Sequence, residues 1–222
     1  MKTAILFGAT GLIGKNLLEL LIQDNDYIKI KLFTRKSIDK KHPKLEIYNI
    51  DFNKLNDFAN NITGDECFFA IGTTKKLTPI KQNYINVELV LPKKISQIAK
   101  DNNINSFIYI SSGGANLNSK NLYLQNKGKA ENYIINLNFN FTAIIQPSLL
   151  LGSRTELRIG EIIAQFIFKK LSFIFVGKLR PFKAIKAENV AKAIIKIIKV
   201  NKKDIYFTSD KLEDFSKVKK NN

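Results

Sequence analysis

Polar side chains in the middle of the chain could together move a proton. Tyr123 and Lys127 are four residues apart, so on a helix they share one face. A free phenol has a pKa of about 10 and is a poor acid or base at neutral pH, but an adjacent ammonium lowers that pKa. Ser111 and Ser112 lie just upstream, where a hydroxyl could hold a substrate carbonyl while Tyr123 moves the proton. The alternative is that Tyr123 is simply half-buried on an amphipathic helix.

A glycine-rich segment near the N-terminus has the context of a phosphate-binding turn. The residues GATGLIG occupy positions 8–14, after an apolar run and at the start of a helical pattern. In this context Gly8 allows a tight turn, Gly11 lets the backbone approach a pyrophosphate, and Gly14 lets the helix pack close to the sheet. The helix N-terminus favours anionic phosphates. A dinucleotide site is therefore predicted at Gly8, Thr10, Gly11, Leu12, Ile13 and Gly14, and the alternative is a tight turn without a ligand.

The end of the second apolar run bears on the choice of nucleotide. An NAD-preferring fold usually has an acidic residue there, which binds the ribose 2′-hydroxyl. This sequence has Thr34-Arg35-Lys36 instead, and arginine is scarce in the chain. Arg35 is therefore predicted to pair with a 2′-phosphate, which favours NADP(H) as the cofactor, with NAD(H) as the alternative. Arg35 could otherwise be a surface residue in a lysine-rich loop.

These residues must be positioned by alternating strands and helices. Short apolar runs occur at Ala4–Phe7, Ile28–Phe33, Leu45–Ile50, Cys67–Ile71, Phe107–Ile110 and Phe141–Ile145, with a further candidate strand at Ile205–Phe207. Helical patterns occur at Leu12–Ile22, Asn83–Lys100, Leu122–Leu137 and Glu188–Val200, and Lys211–Lys220 is expected to be a short, frayed ending. The alternation predicts an α/β fold, a doubly wound parallel (Rossmann) sheet with helices on both faces. We expect one domain over residues 1–222, with a small substrate-side portion within about 147–187.

Composition excludes several classes of function. The single Cys67 and single His42 exclude a disulfide framework and a Cys/His zinc site. The net charge is +17, but only four of the 36 basic residues are arginine, the residue that reads base edges. We therefore expect solvated lysine faces and no specific nucleic-acid site. No apolar run is long enough for a transmembrane helix, and no signal peptide is evident, so a cytoplasmic location is expected.

Taken together, these motifs resemble the short-chain dehydrogenase/reductase superfamily. The resemblance rests on the three glycines followed in order by Ser112, Tyr123 and Lys127. More narrowly, the sequence is similar to the atypical branch that includes Tat-interactive protein 2 and its bacterial relatives. The matching segments are ISSGGAN at 110–116, LYLQNKGK at 122–129, Pro147 with LLLG at 149–152, and RTELRIGE at 154–161.

The resemblance implies further cofactor-lining residues. They are Arg35, Asp51, Gly72, Thr73, Thr74, Asn86, Tyr123, Lys127 and Pro147. Asp51 could instead cap a helix that starts near Asn53, and Asn86 could be a polar surface residue. Gln146 departs from the branch, whose members usually have Arg there. The family pattern favours Ser112 over Ser111 as the catalytic serine, although both spacings to Tyr123 are compatible with it.

The substrate and the occurrence of catalysis stay open at this point. Arg154 and Arg158 could bind an anionic substrate group, or they could form a salt-bridge ladder with Glu156 and Glu161. The leading hypothesis is an NADP(H)-dependent oxidoreductase acting on an unknown carbonyl or alcohol. The second is a non-catalytic regulator that binds NADP(H) and contacts other proteins. A third is an interfacial protein that uses the basic, apolar segment 162–183 against anionic lipid. The oligomeric state is not predicted.

Overall fold

The computed structural model describes residues 1–152, 177–200 and 204–218 of the chain. Nine strands occur in these ranges: β1 (Lys2–Phe7), β2 (Tyr27–Thr34), β3 (Leu45–Asn49), β4 (Glu66–Phe69), β5 (Ser106–Ile110), β6 (Phe141–Gln146), β7 (Leu150–Leu151), β8 (Ile185–Lys186) and β9 (Tyr206–Thr208). Seven of them form one parallel sheet in the order β3-β2-β1-β4-β5-β6-β9. The short strands β7 and β8 pair with each other separately.

Helices cover both faces of the sheet. They are α1 (Leu12–Gln23), α2 (Lys81–Ile85), α3 (Leu91–Asp101), α4 (Leu122–Asn136), α5 (Ala187–Val200) and α6 (Ser209–Lys217). A π-helical turn at Asn86–Val90 joins α2 to α3, and 3-10 helices lie at Phe52–Asn61 and Gly177–Phe182. The doubly wound α/β fold predicted from the alternation is confirmed in the described residues.

The apolar strands alternate their side chains between two cores. Ala4 and Leu6 of β1 pack with α1 and α5 on one face, whereas Ile5 and Phe7 pack with α3 and α4 on the other. Successive side chains of a strand point to opposite faces, so a strand covered on both sides has to be apolar throughout. The second core extends from β1 toward the sheet edge because the aromatic rings of Phe7 on β1 and Phe33 on β2 stack with their centroids 4.9 Å apart.

The order of the strands determines where a ligand can bind. The chain first winds outward from β1 through β2 to β3, and then returns to place β4 on the other side of β1. The helix α1 packs on one face of the sheet and α3 on the other. The connections after β1 and β4 therefore diverge and leave a crevice at the carboxyl ends of these strands, which is where open α/β sheets bind ligands.

The structure corrects the C-terminal prediction. Lys211–Lys220 was expected to fray, but Ser209–Lys217 forms a helix in which Leu212 is fully buried. Phe215, three residues later, contacts Phe207 of β9 edge-on with ring centroids 6.0 Å apart. Two apolar side chains at this spacing share a face, which is sufficient to dock an otherwise charged segment. Elsewhere the bounds of the predicted strands and helices differ by at most two residues, and the helix predicted over Asn83–Lys100 is divided into α2, the π-helical turn and α3.

None of the helices in the described ranges combines the length and the apolar composition needed to cross a bilayer. The predicted substrate-side residues Arg154 and Arg158, and most of the segment 162–183, lie outside the described part of the chain. The hypotheses attached to them therefore stay predictions.

Candidate functional site

A cavity of about 1140 Å³ follows the carboxyl edge of the sheet. It is lined by the first turn of α1, the end of β2, the loop after β4, the end of β5 and the start of α4. The loop after β6 contributes Pro147 at the far end. The cavity thus spans the crevice on both sides of β1, as an extended ligand with two halves would require.

The glycine-rich turn fits a phosphate group sterically and electrostatically. Gly8 has φ +88°, and a Cβ there would lie 2.6 Å from the carbonyl carbon of Ala70. A Cβ on Gly14 would lie 2.1 Å from the Gly8 oxygen, so α1 can approach β1 closely only because both residues are glycine. The helix begins after Gly11 with no side-chain cap and no acidic residue in its first turn. Its free N–H groups are therefore available to an anion.

The end of β2 adds positive charge to the larger cavity. Arg35 and Lys36 are exposed and line the cavity, as do Lys15 of α1 and Lys75 of the loop after β4. The Thr34 hydroxyl donates a hydrogen bond of 2.8 Å to the carbonyl oxygen of Lys36, which fixes the turn. Among the described lining residues of this cavity, Glu88 alone carries a carboxylate.

A second cavity of about 590 Å³ adjoins the first and brings together other predicted cofactor residues. The Asp51 side chain accepts the backbone N–H of Asn53 at 2.9 Å and caps the 3-10 helix, as the alternative interpretation predicted. Asn86 is exposed and accepts a hydrogen bond of 3.1 Å from the Gln82 amide. Both residues nevertheless line this second cavity, together with Arg35.

Tyr123 and Lys127 lie on the same side of α4, as their spacing predicted. Asn121 caps the helix by accepting the N–H of Tyr123 at 2.9 Å, so the position of Tyr123 is fixed from the first turn. Tyr123 is half-buried and lines the larger cavity. Gly128 lets the preceding loop lie against α4, because a Cβ there would lie 2.5 Å from the carbonyl carbon of Asn116.

The Lys127 ammonium lies in a buried cluster. Its Nζ is 3.1 Å from Oε2 of Glu88 and donates to the carbonyl oxygen of Ile110 at 3.2 Å. It also lies 4.9 Å from the ring centroid of Tyr109. Burial opposes the charged form, but Tyr109 and the Glu88 carboxylate outweigh it and raise the pKa of Lys127. This upward shift keeps Lys127 protonated at neutral pH.

The two candidate serines differ in their surroundings. Ser111 is buried, lines the larger cavity and donates a hydrogen bond to Glu131. Ser112 is half-buried, its hydroxyl lies 3.5 Å from the Gly113 carbonyl oxygen, and it is not among the described residues that line either cavity. The structure thus brings Ser111, rather than the favoured Ser112, onto the cavity wall that carries Tyr123.

Sequence reasoning assigned no role to two buried carboxylates of this site, Glu88 and Glu131. Glu131 accepts from Ser111 and from the Gln146 amide, the latter at 3.0 Å. Burial raises the pKa of Glu131, and these two hydrogen bonds oppose that effect. The signal that could have found it is spacing, because Tyr123, Lys127 and Glu131 follow at successive intervals of four on one helix. Glu88 follows Tyr84, another cavity residue, at the same interval.

Comparison with known proteins identifies the family of the chain. A family model described as NAD(P)H-binding matches residues 8–200. The chain is 32% identical over 197 residues to the mitochondrial protein FMP52 of Debaryomyces hansenii, covering 87% of this chain and 86% of that protein. It is also 32% identical over 177 residues to the protein HTATIP2 of Rattus norvegicus, covering 77% and 72% of the two chains.

Solved structures share the fold at lower identity. The enzyme WbmH of Bordetella bronchiseptica, solved in complex with NAD+, has a TM-score of 0.67 and 18% identity, covering 94% of this chain and 76% of that one. A UDP-glucose 4-epimerase of Thermotoga maritima has a TM-score of 0.67 and 14% identity, covering 97% and 81%. Likeness at this level of identity supports the fold alone.

The expected cytoplasmic location is contradicted by these relatives. The FMP52 proteins of Debaryomyces hansenii, Meyerozyma guilliermondii and Candida albicans are named as mitochondrial. The expectation rested on the lack of a secretory signal pattern. The absence of such a pattern does not distinguish a cytoplasmic protein from a mitochondrial one.

Proposed function

Because the chain belongs to the NAD(P)H-binding family that includes FMP52 and HTATIP2, atypical short-chain dehydrogenases/reductases, we propose that it is an NADP(H)-dependent oxidoreductase. Its substrate would be a carbonyl compound or the corresponding alcohol. One observation carries the proposal: Tyr123 and Lys127 line the same cavity as the uncapped N-terminus of α1. This shared cavity supports the proposal, because a pair that could move a proton and a turn that could bind phosphate would then act on one ligand.

The residues of the chain divide the work along the cavity. The backbone N–H groups at Leu12 and Ile13 would hold the pyrophosphate at the start of α1. Lys127 would hold the ribose next to the reacting ring, and the cofactor would supply or accept the hydride there. The Tyr123 hydroxyl would give its proton to the carbonyl oxygen in reduction and take it back in oxidation. A serine hydroxyl, from residue 111 or 112, would hold that oxygen.

The preference for NADP(H) over NAD(H) is part of the proposal. Three basic side chains, Lys15, Arg35 and Lys36, line the half of the cavity next to β2, and the residues from Thr34 to Lys36 include no carboxylate. A 2′-phosphate would be attracted by this charge, and Arg35 could bind it with two N–H groups.

The cofactor preference can be measured without a substrate. We expect NADPH to bind more tightly than NADH in fluorescence titrations. Arg35→Ala should weaken NADPH binding on the order of 10- to 100-fold, as expected for a charge-assisted hydrogen bond, and change NADH binding little. Arg180→Ala is the matched control, because Arg180 is exposed, pairs with Asp214 at 2.6 Å and lines neither cavity. Equal affinities for the two cofactors in the wild type would refute the preference.

Measurements of substrate turnover test the catalytic part of the proposal. A screen of aldehydes and ketones with NADPH should find substrates, and Tyr123→Phe should lower their turnover roughly 10²- to 10⁴-fold while leaving NADPH affinity nearly unchanged. Tyr133→Phe is the control on the same helix, since the Tyr133 hydroxyl donates to Gln97 at 2.8 Å outside the cavity. A wild type that turns over nothing, while NADPH alters its binding to other proteins, would establish the non-catalytic regulator instead.

A further inference from the structure

A single buried carboxylate joins two walls of the larger cavity. The Glu88 side chain is 1% exposed, and its Oε2 atom lies 3.1 Å from Nζ of Lys127 on α4. Its other oxygen, Oε1, accepts the backbone N–H of Thr73 at 2.5 Å, in the loop after β4. Thr73 and Lys127 both line the cavity. The spacing of the loop and the helix therefore depends on the length of the Glu88 side chain.

The Lys127 ammonium is held by two contacts and keeps a donor for a ligand. An ammonium has three N–H donors. Lys127 donates one of them to the carbonyl oxygen of Ile110 at 3.2 Å, and the Glu88 carboxylate attracts the same group as an ion pair. At least one N–H is then left for a ligand in the cavity that Lys127 lines.

Gly72 keeps the space beside this bridge open. A Cβ on Gly72 would lie 3.6 Å from Oε1 of Glu88 and 4.0 Å from Nζ of Lys127. Gly72 and Thr73 line both the larger and the second cavity, so they lie where the two cavities meet. A side chain at residue 72 would occupy the space next to the ammonium, and glycine leaves that space to a ligand.

Glu88 reaches its two partners from an irregular stretch of helix. It lies inside the π-helical turn Asn86–Val90, between α2 and α3. A π turn holds more residues than an α turn, so it changes which side chain faces the neighbouring helix, and such turns are frequent at functional sites. Here Asn86 is exposed while Glu88 is buried against Lys127.

We propose that Glu88 is a positioning residue for the cofactor, which holds the Lys127 ammonium and the Thr73 turn in place for the ribose next to the nicotinamide. This inference rests on the NADP(H) binding of the proposed function and deepens it, because it assigns Glu88 to one half of the cofactor. The adenosine half would bind at Arg35, which follows β2 on the other side of β1 from β4. A disturbed bridge should therefore weaken binding of the nicotinamide half and spare the adenosine half.

The test compares NADPH with 2′,5′-ADP, which carries the adenosine half and the 2′-phosphate but no nicotinamide. Glu88→Asp keeps a negative charge beside the buried ammonium, but its side chain is one methylene shorter and cannot keep both contacts. We expect this variant to bind NADPH on the order of 10-fold more weakly and 2′,5′-ADP within about 2-fold of the wild type. Glu188→Asp is the matched control, because Glu188 is an exposed acid that pairs with Lys192 on α5.

A second arm tests whether Glu88 acts through Lys127. Lys127→Met should itself weaken NADPH binding, and Glu88→Gln/Lys127→Met should then bind NADPH within about 2-fold of Lys127→Met, because no ammonium is left to position. The double variant removes both charges, so neither is buried without its partner, and glutamine can still accept from Thr73. This arm remains decisive if Glu88→Asp does not fold.

The outcomes separate this inference from the proposed function. Equal losses of NADPH and 2′,5′-ADP affinity in Glu88→Asp would indicate a general structural role and overturn the inference, as would an unchanged NADPH affinity. A further large loss in the double variant relative to Lys127→Met would also overturn it. A wild type that binds neither ligand would instead refute the proposed cofactor site and this inference with it. None of these titrations needs a substrate.

Discussion

Replacing Gly14 with Ala should separate the folding role of the glycine-rich turn from its binding role. A Cβ at this position would lie 2.1 Å from the Gly8 oxygen and 2.8 Å from the Gly8 carbonyl carbon. Both are backbone atoms, so neither can rotate away, and α1 has to move off the end of β1. At Gly11, by contrast, the nearest atom to a Cβ is the Gly8 oxygen at 3.3 Å, and the backbone is extended with φ −76°.

The expected cost of Gly14→Ala follows from two opposing effects. Overpacking against fixed backbone belongs at the upper end of the usual range, about 3 kcal/mol. Alanine in a helix is favoured over glycine by about 1 kcal/mol, which leaves a net loss of about 2 kcal/mol. For a chain of this size that corresponds to a fall in Tm of roughly 4–8 °C. Gly11→Ala, at the N-cap, should cost less than about 1 kcal/mol.

The assay combines thermal unfolding with NADPH titration of both variants. Gly14→Ala should melt earlier and bind NADPH weakly, because the displaced helix no longer presents its N–H groups. Gly11→Ala should melt near the wild type yet lose NADPH affinity by about 10-fold or more, because its methyl group occupies the approach to the pyrophosphate. A Gly14→Ala variant that melts within about 1 °C of the wild type, or a Gly11→Ala variant that melts equally early, would refute this explanation of the turn.

Two further predictions concern the polar network below the cavity. Ser111→Ala should lower turnover about 10²-fold, and its effect should exceed that of Ser112→Ala, because Ser111 lines the cavity. A larger loss in Ser112→Ala would instead identify Ser112, which the family pattern favours, as the catalytic serine. Glu131→Gln should stabilise the protein at pH 7, because the raised pKa of Glu131 means that folding disfavours its ionised form. The glutamine keeps the local hydrogen bonds, since its amide oxygen can replace the Oε1 atom that accepts from both Ser111 and Gln146. The advantage should shrink as pH falls and Glu131 protonates, and urea unfolding at pH 5 and pH 8 would show whether it does.

The predictable part of the site is local in sequence. The glycine turn lies on one strand–helix junction, and Tyr123 and Lys127 lie on one helix, so spacing alone places them correctly. Parallel strands covered on both faces are apolar throughout, which is why the sheet could be predicted from short apolar runs. The family that the motifs resembled is confirmed by the match over residues 8–200.

The unpredicted part depends on contacts between distant segments. Glu88 meets Lys127 across two helices, and which residue of α2–α3 faces α4 is determined by a π turn that the sequence does not announce. The family pattern pointed to Asn86, which is exposed and lines the second cavity, and gave no signal for Glu88 two residues away. Likewise, the hydrogen bond from Ser111 to Glu131 depends on how closely β5 and α4 approach each other. Spacing rules assume a regular helix and cannot supply either fact.

The distribution of charge along the cavity supports the proposed division of work between its two ends. The chain carries a net charge of +17, and three basic side chains, Lys15, Arg35 and Lys36, line the half of the larger cavity next to β2. At the α4 end, the single lysine is neutralised by Glu88 in a buried pair. We therefore expect the cofactor phosphates to bind at the first end of the cavity, and the reacting ring and the substrate carbonyl to lie at the second. Raising the salt concentration should therefore weaken NADPH binding, because the exposed basic side chains at the β2 end of the cavity are screened by salt.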